Sequence, residues 1–128
     1  MKRAPSSKSV LLLEPDHMIR HTVALTARSI GLADVQEVPS LKTAQEMLRQ
    51  QVFDGLLLSL DENDRELELI ERVRAGQTQS PASALVAVMV ARCDQTRAEK
   101  LRVAGVNQII LRPFKVKTLL STLHAMSL

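Results

Sequence analysis

The stretch Gly55-Leu56-Leu57-Leu58-Ser59-Leu60-Asp61 restricts the folds open to this chain more than any other. It is aliphatic, short and closed by acidic residues at Asp54 and Asp61. A run of this length is too short to cross a bilayer, and an apolar run without alternation reads as a strand buried on both faces. Such strands belong to parallel sheets, which place their chemistry at the carboxyl ends of the strands. Ser59 and Asp61 therefore stand where a functional group is expected.

The same unit recurs along the chain. Ser9 to Leu13 is a second apolar run, ended by Glu14, Pro15 and Asp16, and residues 17–30 carry Ile19, Val23, Ala27 and Ile30 at helical spacing before Gly31. Residues 33–38 alternate as a half-buried strand, and Ser40 is placed to cap a helix with Leu41, Ala44 and Leu48 inward. After the opening stretch, Asn63 and Glu66 have the spacing of a capping pair for a helix with Leu67, Ile70 and Val73, stopped by Gly76. Residues 77–83 read as a surface loop, Leu85 to Val90 as a strand, and Asp94 as the cap of a helix that Gly105 closes. Gln108 to Leu111 gives a fifth strand, and residues 115–126 carry Val116, Leu119, Leu120 and Leu123 at helical spacing. Strands alternating with helices in this way predict an α/β fold, a doubly wound parallel sheet covered on both sides with right-handed crossovers.

A chain of 128 residues is about one domain, here residues 9–128, preceded by a polar and flexible segment over residues 1–8. Only two Phe and neither Trp nor Tyr are present, so the core is aliphatic, with Met89 and Met126 in ordinary core positions. The shortage of rings also argues against stacking on single-stranded nucleic acid or RNA and against flavin binding. One cysteine, Cys93, cannot form an internal disulfide, and no apolar run is long enough for a membrane span or a signal peptide, which predicts a cytoplasmic protein with no membrane association. Charge is unevenly spread: seven acidic residues from Asp54 to Glu71 face Arg65 alone, whereas from Leu85 onward Arg92, Arg97, Lys100, Arg102, Arg112, Lys115 and Lys117 outnumber Asp94 and Glu99. That asymmetry predicts a basic face, either a solvated surface or a dock for an acidic partner.

Three motifs resemble the receiver domain of two-component response regulators. They are V-L-L-L-E-P-D at residues 10–16, F-D-G-L-L-L-S at residues 53–59 and G-V-N-Q-I-I-L-R-P-F at residues 105–114, the last similar to the family's Gly-Ala-x-x-aromatic-x-x-Lys-Pro-Phe ending. The resemblance runs from Ser9 to about Met126 and implies the flavodoxin-like strand order 2-1-3-4-5 with five helices, and a cis bond before Pro113.

Carried over position by position, the resemblance implies a dismantled reactive centre. Ser59 falls at the family's phospho-acceptor aspartate; a carboxylate is already ionised at neutral pH, whereas a hydroxyl needs a base. Asp54 matches an acidic position at the other end of the strand and is no substitute. Glu14 keeps one of the two magnesium-binding acids and Pro15 replaces the other, so magnesium binding is expected to be lost or weak and no cofactor is implied. Glu14, Asp16 and Asp61 could regroup around a cation, the less favoured reading. Val90 stands for the hydroxyl residue that follows the phosphoryl group, Ile109 for the switching aromatic and Arg112 for the conserved lysine, where it is placed to pair with Glu14 or Asp61 or to point into solvent.

Other centres are not supported. His17 and His21 have i, i+4 spacing but no further ligand, with His124 and Cys93 on distant segments, and no glycine loop for phosphate is present. The resemblance thus implies a non-enzymatic, degenerate receiver in two-component or phosphorelay-type signalling that binds protein partners without being phosphorylated. Its partner face, and a homodimer contact, would lie on the fourth helix, fifth strand and fifth helix, with Arg97, Lys100, Arg102, Lys115 and Lys117 exposed. The alternatives are a sensor of an anion or small ligand in the pocket of Glu14, Ser59, Val90 and Arg112, and phosphorylation of Ser59 by a serine kinase; nucleic-acid binding is not expected.

Overall fold

The computed structural model describes residues 8–31 and 34–127. Except for Lys8, the expected flexible terminus lies outside the described residues, as does residue 33 at the start of the expected second strand. Ten elements alternate: β1 (Ser9–Leu13), α1 (His17–Ser29), β2 (Asp34–Val38), α2 (Leu41–Gln50), β3 (Gly55–Ser59), α3 (Leu67–Arg74), β4 (Leu85–Val90), α4 (Gln95–Ala104), β5 (Gln108–Leu111) and α5 (Val116–Ser127). The strands form one sheet in the order β2-β1-β3-β4-β5, every pairing parallel, so β3 is central as the opening stretch predicted.

Successive side chains of a strand point to opposite faces, and this divides the core in two. Leu11, Leu13, Leu56, Leu58, Val86 and Val88 meet Ala44 and Leu48 of α2, Ile70 and Val73 of α3 and Leu101 of α4. Val10, Leu12, Leu57, Ala87 and Met89 meet Val23, Ala24 and Ala27 of α1 and Leu119, Leu123 and Met126 of α5. Every residue of β1 and β3 is buried, which is why these runs show no polar alternation.

Helix ends follow local chemistry. Asp16, Ser40 and Asp94 each accept a hydrogen bond from the amide three residues on, capping α1, α2 and α4. Gly105 ends α4 at φ 100°, a left-handed backbone that a side chain resists. The expected capping pair of Asn63 and Glu66 is not formed: α3 starts at Leu67, with Glu66 as N-cap making no side-chain cap bond. The Glu66 carboxylate is buried and accepts instead from the Asp61 amide at 3.2 Å, so it organises the loop before the helix.

At the amino edge, opposite the candidate site, one guanidinium does what several turn residues would otherwise do. Arg74, near the end of α3, donates to the carbonyls of Ala82 (2.7 Å), Ala84 (2.6 Å) and Gly105 (2.7 and 3.0 Å) and to Asn107 Oδ1 (2.8 Å). A Cβ on Gly105 would lie 2.6 Å from Arg74 Nε, so the close approach requires glycine there. Replacing Arg74 by Ala leaves these carbonyls without a charged donor and should cost on the order of 2–3 kcal/mol in chemical denaturation, with Lys restoring a minor share because an ammonium cannot span the same carbonyls.

Candidate functional site

The carboxyl ends of β1, β3 and β5 bring Glu14, Ser59 and Arg112 to one edge. Glu14 is only 1% exposed. One of its oxygens faces Arg112 Nη1 at 3.4 Å, the other accepts the Asp16 amide at 3.0 Å, and its main-chain carbonyl accepts Arg20 Nη1 at 2.8 Å. Arg112 Nη2 donates to the Leu60 carbonyl at 3.3 Å. The guanidinium thus lies between a strand-end carboxylate and the chain just past Ser59, the first of the pairings read from sequence and not the solvent-facing one. The Arg112 to Pro113 bond is cis, as the resemblance implied. Ser59 is 6% exposed, and its hydroxyl makes no hydrogen bond with any described residue.

The carboxylates of the edge do not converge. Asp16 is committed to the Ile19 amide at the start of α1. Asp61 holds Arg65 at 2.7 Å and accepts the Asn63 amide at 2.9 Å. Desolvation raises the Asp61 pKa, but the bonds from Arg65 and Asn63 and the charge of Arg65 outweigh it, so the net shift is downward. Among the described residues no three acidic, His or Cys side chains are placed to share a metal ion. The regrouping of Glu14, Asp16 and Asp61 around a cation is therefore not assembled, because each is already engaged. His17 and His21 stack at 6.0 Å on α1, with Arg20 against His17 Nδ1 at 3.1 Å. Asp54 sits at the opposite, amino edge, bonded to the Ser9 amide at 2.9 Å.

The open space at this edge, about 550 Å³, runs over the ends of β1 and β3 towards the start of α2, lined by Glu14, Pro15, Ser59, Asp61 and Arg112 and by Pro39, Ser40 and Lys42. Neither Val90 nor Ile109 lines it. Val90 is fully buried in the core beneath α2, α3 and α4, and Ile109 packs against that core. The pocket expected between Glu14, Ser59, Val90 and Arg112 is thus displaced towards β2, because both aliphatic side chains follow the apolar interior.

A second arginine ties the loop after β3 to α4. Arg97 Nη2 donates to the Asp61 carbonyl at 2.8 Å and to Asp64 Oδ1 at 2.6 Å, and Nη1 to the Arg92 carbonyl at 2.7 Å. Lys100 reaches the other Asp64 oxygen at 3.4 Å. Asp64 holds a positive φ of 53°, uncommon for a residue with a Cβ, which this double attachment supports. Arg97 is consequently turned inward rather than exposed as expected, and Arg102 pairs with Glu99 at 2.5 Å. Of the basic face, Lys115 and Lys117 keep exposed ammonium groups with no ion pair to a described residue. Exposed Leu111 and Val116 make this face mixed rather than simply basic, while exposed Val103 lines the groove between α3 and α4. Sequence reading missed Asp64, whose partner Arg97 lies 33 residues away, and assigned Glu66 to a helix cap rather than to the Asp61 amide.

No protein-family model matches the chain, and no curated protein sequence matches it. Solved structures do. A response regulator from Thermotoga maritima superposes with a TM-score of 0.81 at 22% identity, covering 94% of this chain and 98% of that one. An orphan response regulator of H. pylori gives 0.81 at 17%, over 94% and 97%, and a chemotaxis protein of Vibrio cholerae gives 0.80 at 18%, over 94% and 98%. At these identities the likeness shows the fold, which is that of response-regulator receiver domains.

The Asp64 attachment has a measurable weight. Asp64→Asn keeps a residue that tolerates a left-handed backbone but removes the charge that Arg97 and Lys100 share. It should destabilise the protein by about 2 kcal/mol, more than a surface ion pair contributes, and should raise amide exchange in the loop after β3 and the first turn of α4.

Proposed function

We propose that this chain is a receiver-type signalling module that works without aspartyl phosphorylation, without a metal and without catalysis, by docking protein partners. The observation that carries the reading is the Arg112 guanidinium lying on Glu14 and the Leu60 carbonyl beside Ser59. In receivers the matching acids hold magnesium, which bridges acceptor and phosphoryl group. Here a cation tethered to the chain meets the one acid that remains, and Arg97 takes the carbonyl of Asp61. Two guanidinium groups satisfy oxygens at this edge, and Arg112 cannot vacate without leaving Glu14 buried and uncompensated.

Ser59 does not replace the missing carboxylate. Its proton would have to pass to a base, and the carboxylates of this edge are engaged, Glu14 by Arg112 and the Asp16 amide and Asp61 by Arg65. A serine kinase is equally disfavoured: such enzymes take an extended, accessible segment, and Ser59 ends the central strand at 6% exposure. Val90 and Ile109 are packed inward, and the edge is tied to α4 and to the end of β5 by the fixed side chains of Arg97 and Arg112, which fits a partner face held in one state. The mixed surface of Leu111, Lys115, Val116 and Lys117 is the proposed dock for a protein partner or a second copy of the chain.

Incubation with acetyl phosphate and magnesium should leave the intact mass unchanged, for the natural chain and for Ser59→Asp alike, because Pro15 and Val90 remain; a phosphoryl adduct on the natural chain contradicts the reading. In a pull-down from the native cell, a protein captured by the natural chain should be lost with Lys115→Glu combined with Val116→Asp. Its retention would remove this face from the proposal.

A further inference from the structure

The cleft at the carboxyl edge contains more than the remains of a phosphorylation centre. It offers about 550 Å³ of open space, far more than one phosphoryl group needs. It extends to the β2 side, where Pro39, Ser40, Leu41 and Lys42 close it.

An inventory of its polar groups separates those already used from those left over. Glu14 is paired with Arg112, Asp61 with Arg65, Asp16 caps α1, and Glu66 accepts the Asp61 amide. Every carboxylate lining the cleft therefore has a donor. Ser40 is also used, since its hydroxyl caps α2 on Thr43. The groups left over can all donate. The Ser59 hydroxyl opens on the cleft from a residue 94% buried and has no partner among the described residues. Arg112 Nε is buried and unpartnered. Lys42 makes no ion pair or hydrogen bond with a described residue. The amides of Leu41 and Lys42, in the first turn of α2, have no intrahelical acceptor and lie at the positive end of the helix dipole.

We propose that this cleft binds a small organic oxyanion, its charged head on Lys42 and the first turn of α2 and a second acceptor on the Ser59 hydroxyl. Ser59 ends β3 and Ser40 follows β2, with β1 between them, so the two ends lie two strand spacings apart, about 10 Å. A bare inorganic ion cannot reach both ends; a phosphate monoester or a polycarboxylate with an organic body can. Leu13, Pro15, Pro39 and Leu41 supply the apolar wall for that body. A surplus of donors in a site whose carboxylates are all engaged favours an acceptor-rich ligand, because an unmet donor costs free energy that such a ligand recovers. The inference does not depend on the protein-docking reading and would stand if that reading failed.

The test uses the whole chain, titrated separately with glycerol 3-phosphate, adenosine 5′-monophosphate and citrate and followed by amide chemical shifts and thermal unfolding. At least one probe should saturate, raise the unfolding midpoint and move the amides of Leu41, Lys42 and Ser59. The phosphate probes and the carboxylate probe decide which oxyanion the head group is. Lys42→Glu and Ser59→Ala should each weaken that probe by about tenfold or more, the size expected for losing one charge-assisted or buried hydrogen bond. Both substitutions are at positions whose side chains support no neighbour, so the folded state serves as its own control by unfolding midpoint. No saturable shift with any of the three probes overturns the proposal. So do shifts confined to the Lys115 and Lys117 face, or unchanged affinity in both variants.

Discussion

A carboxylate held at 1% exposure at the end of a central strand must be compensated, and the compensation of Glu14 shapes the whole functional edge. In a receiver with its reactive centre intact the compensating cation is exchangeable. Here it belongs to the chain: Arg112, brought across from the end of β5, covers Glu14 and reaches the Leu60 carbonyl. The pairing compensates the buried carboxylate with a cation of the chain itself.

The same logic extends along the edge. Asp61 is neutralised by Arg65, and the loop it begins is fixed to α4 through Asp64, Arg97 and Lys100. Arginine does this work because a planar guanidinium can bridge several oxygens at once, a carboxylate and two carbonyls for Arg97 near the edge, and three carbonyls and the Asn107 side chain for Arg74 at the opposite end of the sheet. Joining loops through guanidinium groups rather than through a phosphate or a metal gives an arrangement that does not depend on a ligand arriving. The fold keeps the receiver frame, and the loop after β3 is held to α4 by side chains of the protein itself.

What was legible in the sequence follows from the range of each interaction. Strands and their burial were readable because both faces of β1 and β3 are covered, leaving unbroken aliphatic runs; helix caps at Asp16, Ser40 and Asp94 were readable because donor and acceptor lie three residues apart. The Asn63 and Glu66 spacing misled for the same local reason: it fits a cap, but the Asp61 amide competes successfully for the Glu66 carboxylate. The inward turn of Arg97 could not be read, because its partner Asp64 is distant in sequence and sits in a backbone conformation that residue type alone does not announce. The direction of the cleft was hidden too, since it depends on Val90 and Ile109 joining the core and on the start of α2 standing open.

That a tethered guanidinium holds the place of the metal is tested most directly by titrating the protein with magnesium while following the amides of Glu14, Ser59 and Asp61. The natural chain should show no saturable shift at these residues at millimolar magnesium, and its unfolding midpoint should not rise. Saturable binding centred on Glu14 and Asp61 would mean that Arg112 yields to the ion, contradicting a site closed by the protein's own cation.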